Sequence, residues 1–146
     1  MKFSFIRIPT TPTPAFPKRY GVLAPIIPIR IINRTDHEKY IDINAMIDSG
    51  ADVCIFPGEI ANKIELKIDK ERIEPIMGIS RHHFNTYLHD IIFEIGGWRF
   101  ESYACFAFDD IAFPILGRNG FFNLFEIKID YTKESIELKP KAKTIR

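Results

Sequence analysis

The chain has 146 residues, 46% of them hydrophobic and 27% charged, with a formal net charge of +1. That length suits one domain with its own core, and the composition is that of a globular protein rather than a disordered or fibrous one. The near-neutral balance gives no global field to recruit nucleic acid or an anionic membrane surface, and no apolar stretch is long enough to span a bilayer, so neither partner is expected. The N-terminus carries Lys2 and Arg7 without an apolar core and small-residue cleavage site. No signal peptide is therefore expected, and the cytoplasm is the expected compartment. Cys54 and Cys105 stand singly inside apolar runs, which predicts free buried thiols acting as small hydrophobes.

Residues 3–8 alternate as a short strand, and the prolines at 9, 12, 14 and 17 then break any ladder because proline has no N–H to donate. Residues 1–20 are expected to form an extended, proline-rich arm. Residues 23–32 are apolar but interrupted by Pro25 and Pro28, the pattern of an edge or irregular strand. Residues 33–39 are turn-like, and their Asn33-Arg34-Thr35 sequon carries no meaning in a protein that is not secreted. Residues 40–47 return as an alternating strand and lead into Asp48-Ser49-Gly50-Ala51, after which a second apolar run continues to Phe56. This places a carboxylate at the mouth of a turn between two buried strands, where ionisation is costly without partners or solvent. Ser49 can donate a hydrogen bond, and Gly50 lets the turn tighten and present its N–H. An ordinary Asp-Ser-Gly turn would have the same local pattern.

Pro57 opens a segment with Ile60 and Ile64 on one face, which predicts a short helix. Residues 73–78 and 84–95 read as two strands, Gly96-Gly97 as a tight hairpin turn and residues 98–108 as the next strand, ending at Asp109-Asp110. The run Phe113-Pro114-Ile115-Leu116 closes on Gly117, followed by Arg118 and Asn119. Residues 119–125 are expected as a second short helix with Phe121, Phe122 and Phe125 on one side. Residues 125–130 and 135–138 form a terminal hairpin around a four-residue turn, and residues 141–146 a basic tail. The sum is a mainly β fold: a small closed or nearly closed barrel over residues 21–140 with about two short helices.

Asp48-Ser49-Gly50-Ala51 and the later Ile115-Leu116-Gly117-Arg118-Asn119, in this order and each within a β pattern, resemble the two motifs of the retropepsin-like aspartic proteases. The resemblance runs from about residue 23 to residue 140. It implies an acid-protease-type barrel and an aspartic endopeptidase acting on polypeptides without a cofactor. Hydrolysis by this route needs two carboxylates sharing a proton around a water. The chain contains one Asp-Ser-Gly, so the resemblance implies a homodimer with Asp48 from each subunit at a two-fold axis. It further implies that Ser49 locks the two loops together, that Gly50 meets the substrate backbone, and that Asp52 borders the substrate groove. Arg118 is expected beside the Asp48 loop, paired with Asp52 and partly buried, tying the Gly117 turn to that loop. The 73–95 hairpin takes the place of the flap, with Gly78, Ile79 and Ser80 at its tip, although the family's tip is usually richer in glycine. Phe16-Pro17 matches the aromatic-proline bonds that retroviral members cut during self-release. The alternative is a catalytically silent relative using the barrel to dimerise or to bind peptides. His82, His83 and His89 have no carboxylate or cysteine arranged with them, so no metal is expected.

Overall fold

The computed structural model describes residues 1–109 and 113–141. In chain order the strands are β1 (Lys2–Ser4), β2 (Ile6–Pro9), β3 (Gly21–Ala24), β4 (Ile26–Asn33), β5 (Tyr40–Ile47) and β6 (Ile55–Pro57). The helix α1 (Gly58–Lys63) follows, and then β7 (Ile73–Met77), β8 (His83–Ile95), β9 (Trp98–Ala107), β10 (Ile115–Leu116), β11 (Phe125–Asp130) and β12 (Ser135–Pro140).

Six strands close a ring in the order β4, β5, β10, β6, β9, β8, with β8 returning to pair with β4. Closure leaves the ring strands with few open edges, which removes most of the unpaired donors an open sheet would expose. Period-two patterning decides what faces inward. In β5, Ile41, Ile43, Ala45 and Ile47 turn inward while Tyr40, Asp42 and Asn44 stay exposed. The interior is filled by isoleucine and phenylalanine. Phe56 meets Phe93 edge-on with ring centroids 6.0 Å apart and packs against Phe106 at the same distance. Burying each such ring contributes about 1.5–3 kcal/mol.

The two prolines of residues 23–32 act differently. Pro25 breaks the run into β3 and β4. Pro28 lies inside β4 at a level where the strand is paired with β5 alone, since pairing with β8 begins at Arg30. A residue with no N–H is tolerated there because no second ladder asks for one. The expected edge strand is therefore an edge only in its first half. In its second half it is a central strand of the barrel.

Residues 3–8, expected as one strand, divide at the buried Phe5. β1 pairs with β12, which also pairs with β11, and β2 pairs with β3. The ends of the proline-rich arm thus lie against the domain. Between them, Thr13 and Phe16 exchange backbone hydrogen bonds of 3.2 and 3.0 Å and the Arg19 guanidinium sits 4.2 Å from the Phe16 ring centre. Phe16-Pro17 is therefore part of a closed turn rather than of an extended strand.

α1 forms where Pro57 and the Ile60–Ile64 spacing predict it, with Ile60 and Ala61 buried and Ile64 capping its end. The second expected helix, 119–125, does not form. Its backbone bonds run from Phe122 N–H to the Gly117 carbonyl and from Asn123 N–H to the Arg118 carbonyl, spacings wider than an α-helix, and Leu124 then bonds back to Phe121. Gly120 holds φ at +100°, and a side chain there would meet the Tyr103 carbonyl. The aromatic face survives as a packed turn: Phe121 lies 5.1 Å from Phe125, which lies 4.7 Å from Phe100. The basic tail beyond Lys141 lies outside the described residues, as does Asp110 at the end of the 98–108 strand.

Candidate active site

The Asp48 loop leaves the end of β5 where that strand pairs in parallel with β10. Asp48 N–H donates to the Leu116 carbonyl at 3.0 Å, so the first residue of one motif is fastened to the strand of the other. The Asp48 carboxylate is half-buried, and its Oδ1 accepts the Gly50 N–H at 2.8 Å. Ala51 N–H closes the turn onto the Asp48 carbonyl at 3.3 Å. A Cβ on Gly50 would stand 3.1 Å from that same Oδ1, so glycine leaves the carboxylate room. Ser49 and Gly50 are exposed. The loop thus presents a carboxylate, a hydroxyl and a glycine backbone outward from a rigid support.

That support is the Gly117-Arg118-Asn119 turn. Arg118 N–H donates to the Ala51 carbonyl at 2.9 Å, and Asn119 N–H to the Asp52 carbonyl at 2.8 Å. The Asn119 side-chain amide reaches the same Asp52 carbonyl at 2.9 Å. Gly117 must be glycine for steric reasons, because a Cβ would overlap the Val53 carbonyl. Beneath it the Cys54 thiol accepts the Gly117 N–H at 3.4 Å. Burial pushes that thiol up to about 12, so it stays protonated and inert.

Arg118 pairs with the Asp52 carboxylate through one guanidinium nitrogen, beside the loop as the motif implies. The environment differs from the expectation of partial burial. The Arg118 and Asp52 side chains are 55% and 79% exposed, so solvent screens the pair. The loop is held mainly by backbone hydrogen bonds, not by this ion pair.

The β7–β8 hairpin carries Gly78, Ile79 and Ser80 at its turn, all exposed. Arg81 N–H returns to the Gly78 carbonyl at 2.9 Å, and Arg81 itself takes the left-handed conformation with φ at 58°. Glycine is thus not what turns the chain here. Ile79 and Met77 stand out into solvent at the tip. Among the described residues no cluster of three or more histidine, cysteine or acidic side chains could hold a metal. The described hydrogen bonds and ion pairs bring no second carboxylate to Asp48 within the protomer.

Sequence patterns missed two tertiary ties, one that caps α1 and one that braces the site. Asn33, inside the sequon, is buried, and its amide donates to the Ile64 carbonyl at 3.0 Å, which caps the end of α1. Ser102 donates to the Gly120 carbonyl and so ties β9 to the turn after Asn119. Asn33 also accepts the Thr35 N–H at 2.9 Å in a local turn, but the Ile64 and Gly120 carbonyls lie far along the chain, so neither tie has a local signal.

No protein-family model and no curated protein matches the chain. Among solved structures, the chain is similar to the EIAV protease in complex with the inhibitor HBY-793. The TM-score is 0.51 at 21% identity, over 65% of this chain and 82% of that one. The protein therefore has a retropepsin-like fold, an acid-protease-type barrel that is mainly β with one short helix.

Proposed function

We propose that the protein is an aspartic endopeptidase that works as a homodimer, with Asp48 of each protomer forming a dyad on the two-fold axis. The observation that carries this reading is the solvent-facing Asp48-Ser49-Gly50 loop, braced by Gly117-Arg118-Asn119 on a retropepsin-like fold. One such loop supplies half of the chemistry, and a second copy supplies the rest.

In the assembled site two carboxyls share one proton, because two negative charges that close ionise together only at high cost. The ionised Asp48 takes a proton from a bound water as its oxygen attacks the scissile carbonyl carbon. The protonated partner gives its proton to the carbonyl oxygen, forming a neutral gem-diol. Collapse then breaks the C–N bond, with one proton passing to the amine and the carboxyls left again sharing one. The substrate is an extended polypeptide bound by β-type backbone hydrogen bonds beneath the β7–β8 hairpin, which acts as the flap. Ser49 links the two loops across the axis.

The test is incubation of the purified protein with a denatured polypeptide across pH, beside Asp48→Asn. Cleavage by the wild type, with none by a variant of unchanged circular dichroism and melting temperature, is the expected result. Equal inertness of both proteins in a stable dimer would identify a silent dimerisation or peptide-binding module instead.

A further inference from the structure

β8 changes neighbours along its outer edge. Residues 83–87 pair with β7 and residues 91–94 with β4, which leaves a gap at residues 88–90. The segment 66–72, which joins α1 to β7, covers this gap. Leu88 N–H donates to the Arg72 carbonyl at 2.9 Å, and an Arg72 guanidinium nitrogen lies 3.4 Å from Asp90 Oδ1. The middle of the segment is held by a histidine. His89 is 8% exposed, and its Nε2 accepts the Asp69 backbone N–H at 3.0 Å.

An imidazole can accept only while that nitrogen is unprotonated, so the bond requires a neutral ring with its hydrogen on Nδ1. The groups around it divide by sign. Arg72 faces it from the segment and the Phe106 ring from β9, at a centroid distance of 6.2 Å. The carboxylates of Asp69 and Asp90 favour a charged ring, but Asp90 is already engaged by Arg34 and Arg72. Glu65 and Lys67 line the same cleft, and Glu65 is paired with Lys39. Burial first, and Arg72 second, hold the imidazole below its ordinary value.

We propose that His89 is an acid-sensitive latch: neutral, it fastens the 66–72 segment to the barrel, and protonated, it releases that segment and loosens β7. Proton uptake replaces the acceptor with an N–H that points at the Asp69 N–H, and it places a cation beside Arg72. The sign follows from linkage. A histidine depressed in the folded state contributes its bond fully above about pH 6.5, and that contribution fades as pH falls through the folded value. β7 is one strand of the hairpin assigned above as the flap, so a link to substrate access rests on the protease reading. The latch itself does not.

The test is amide hydrogen exchange between pH 7.5 and 4.5, corrected for intrinsic rates, on the wild-type protein and His89→Gln. Glutamine offers a side-chain acceptor that does not titrate. In the wild type, exchange at residues 69–77 should rise by up to about tenfold per pH unit below the ordinary histidine range. The rest of the barrel should stay protected, and the variant should lack this step. NMR titration of the wild-type imidazole, which needs no variant, should place its midpoint where that rise levels off. A histidine that titrates without change in the segment, or an identical exchange profile in His89→Gln, would overturn the latch. An exchange step without any peptidase activity would keep the latch and remove the protease reading. Activity without the step would do the reverse.

Discussion

A methyl group on Gly117 would run into the Val53 carbonyl, and that carbonyl belongs to backbone fixed on both sides by Asn119, through the Asp52 carbonyl and the Cys54 N–H. Gly117→Ala should therefore destabilise by about 1–3 kcal/mol, as overpacking does where nothing can yield. Its effect on any peptidase activity should exceed its effect on stability, because the strain falls on the Asp48 loop. Gly58 offers the contrast. A Cβ there meets the ring of Phe108, a side chain 53% exposed that can yield by giving up only its edge contact with Tyr87. Gly58→Ala should change stability by no more than about 1 kcal/mol, with improved helix propensity offsetting the contact. Urea denaturation of the two variants would separate the cases. Arg118→Ala belongs with the mild changes: removing an exposed ion pair should cost about 0–1 kcal/mol. A much larger loss in the dimer than in the monomer would mean that assembly buries this pair. Cys54 and Cys105 are both buried and both raised by desolvation. Thiol reagents at pH 8 should label neither until the protein unfolds, which mass spectrometry would show.

At the scale of elements, the turn after Asn119 explains where the sequence pattern misleads. Phe121, Phe122 and Phe125 have helical spacing, and three aromatics on one face are the ordinary signature of a packed helix. The spacing is honoured by a different backbone because Gly120 sits with φ at +100° against β9. Gly120→Ala should cost at least about 1–2 kcal/mol from the backbone conformation alone. The requirement is tertiary, set by Tyr103 of a neighbouring strand, far upstream in the sequence, and no local reading contains it. The same holds for the split between β1 and β2, where a single buried Phe5 sends consecutive strands to different sheets. By contrast, α1, the Gly96-Gly97 turn and the β4–β5 hairpin were legible because proline, glycine and strict alternation act locally. Both glycines of that turn have positive φ, 58° and 82°, as a two-residue hairpin demands.

For the whole molecule, the two motifs were readable at a distance because each is a contiguous string of residues. Their meeting, through the Asp48–Leu116 and Arg118–Ala51 hydrogen bonds, is what the fold adds. The exposure of Arg118 and Asp52 was not readable, since it depends on how the Gly117 turn and the Asp48 loop sit at the barrel surface. If the shared site is right, activity should fall more steeply than protein concentration on dilution, as mass action requires of an obligate dimer. Parallel sedimentation measurements should show the loss of activity tracking the loss of dimer. Full specific activity in a protein that stays monomeric would remove the shared-site reading. Release at Phe16-Pro17 should also be absent from the native protein, because the Thr13–Phe16 turn keeps that bond from the extended form a β-type groove needs.

The thirteen-residue length of β8 has a mechanical consequence. Its register with β9 runs continuously from Ile95 back to Thr86, so most of the strand is embedded in the barrel wall like a built-in beam. Only residues 83–85 project past that support, matched by residues 75–77 of β7. The hairpin is therefore a short cantilever with unequal limbs: one rooted in the wall, the other an outer strand moored by the segment before it. Bending should concentrate beyond Thr86, and any larger excursion must begin by unmooring β7. Substitutions that stiffen residues 78–82 should alter the tip alone, whereas those at the moorings should change the swing of the whole limb.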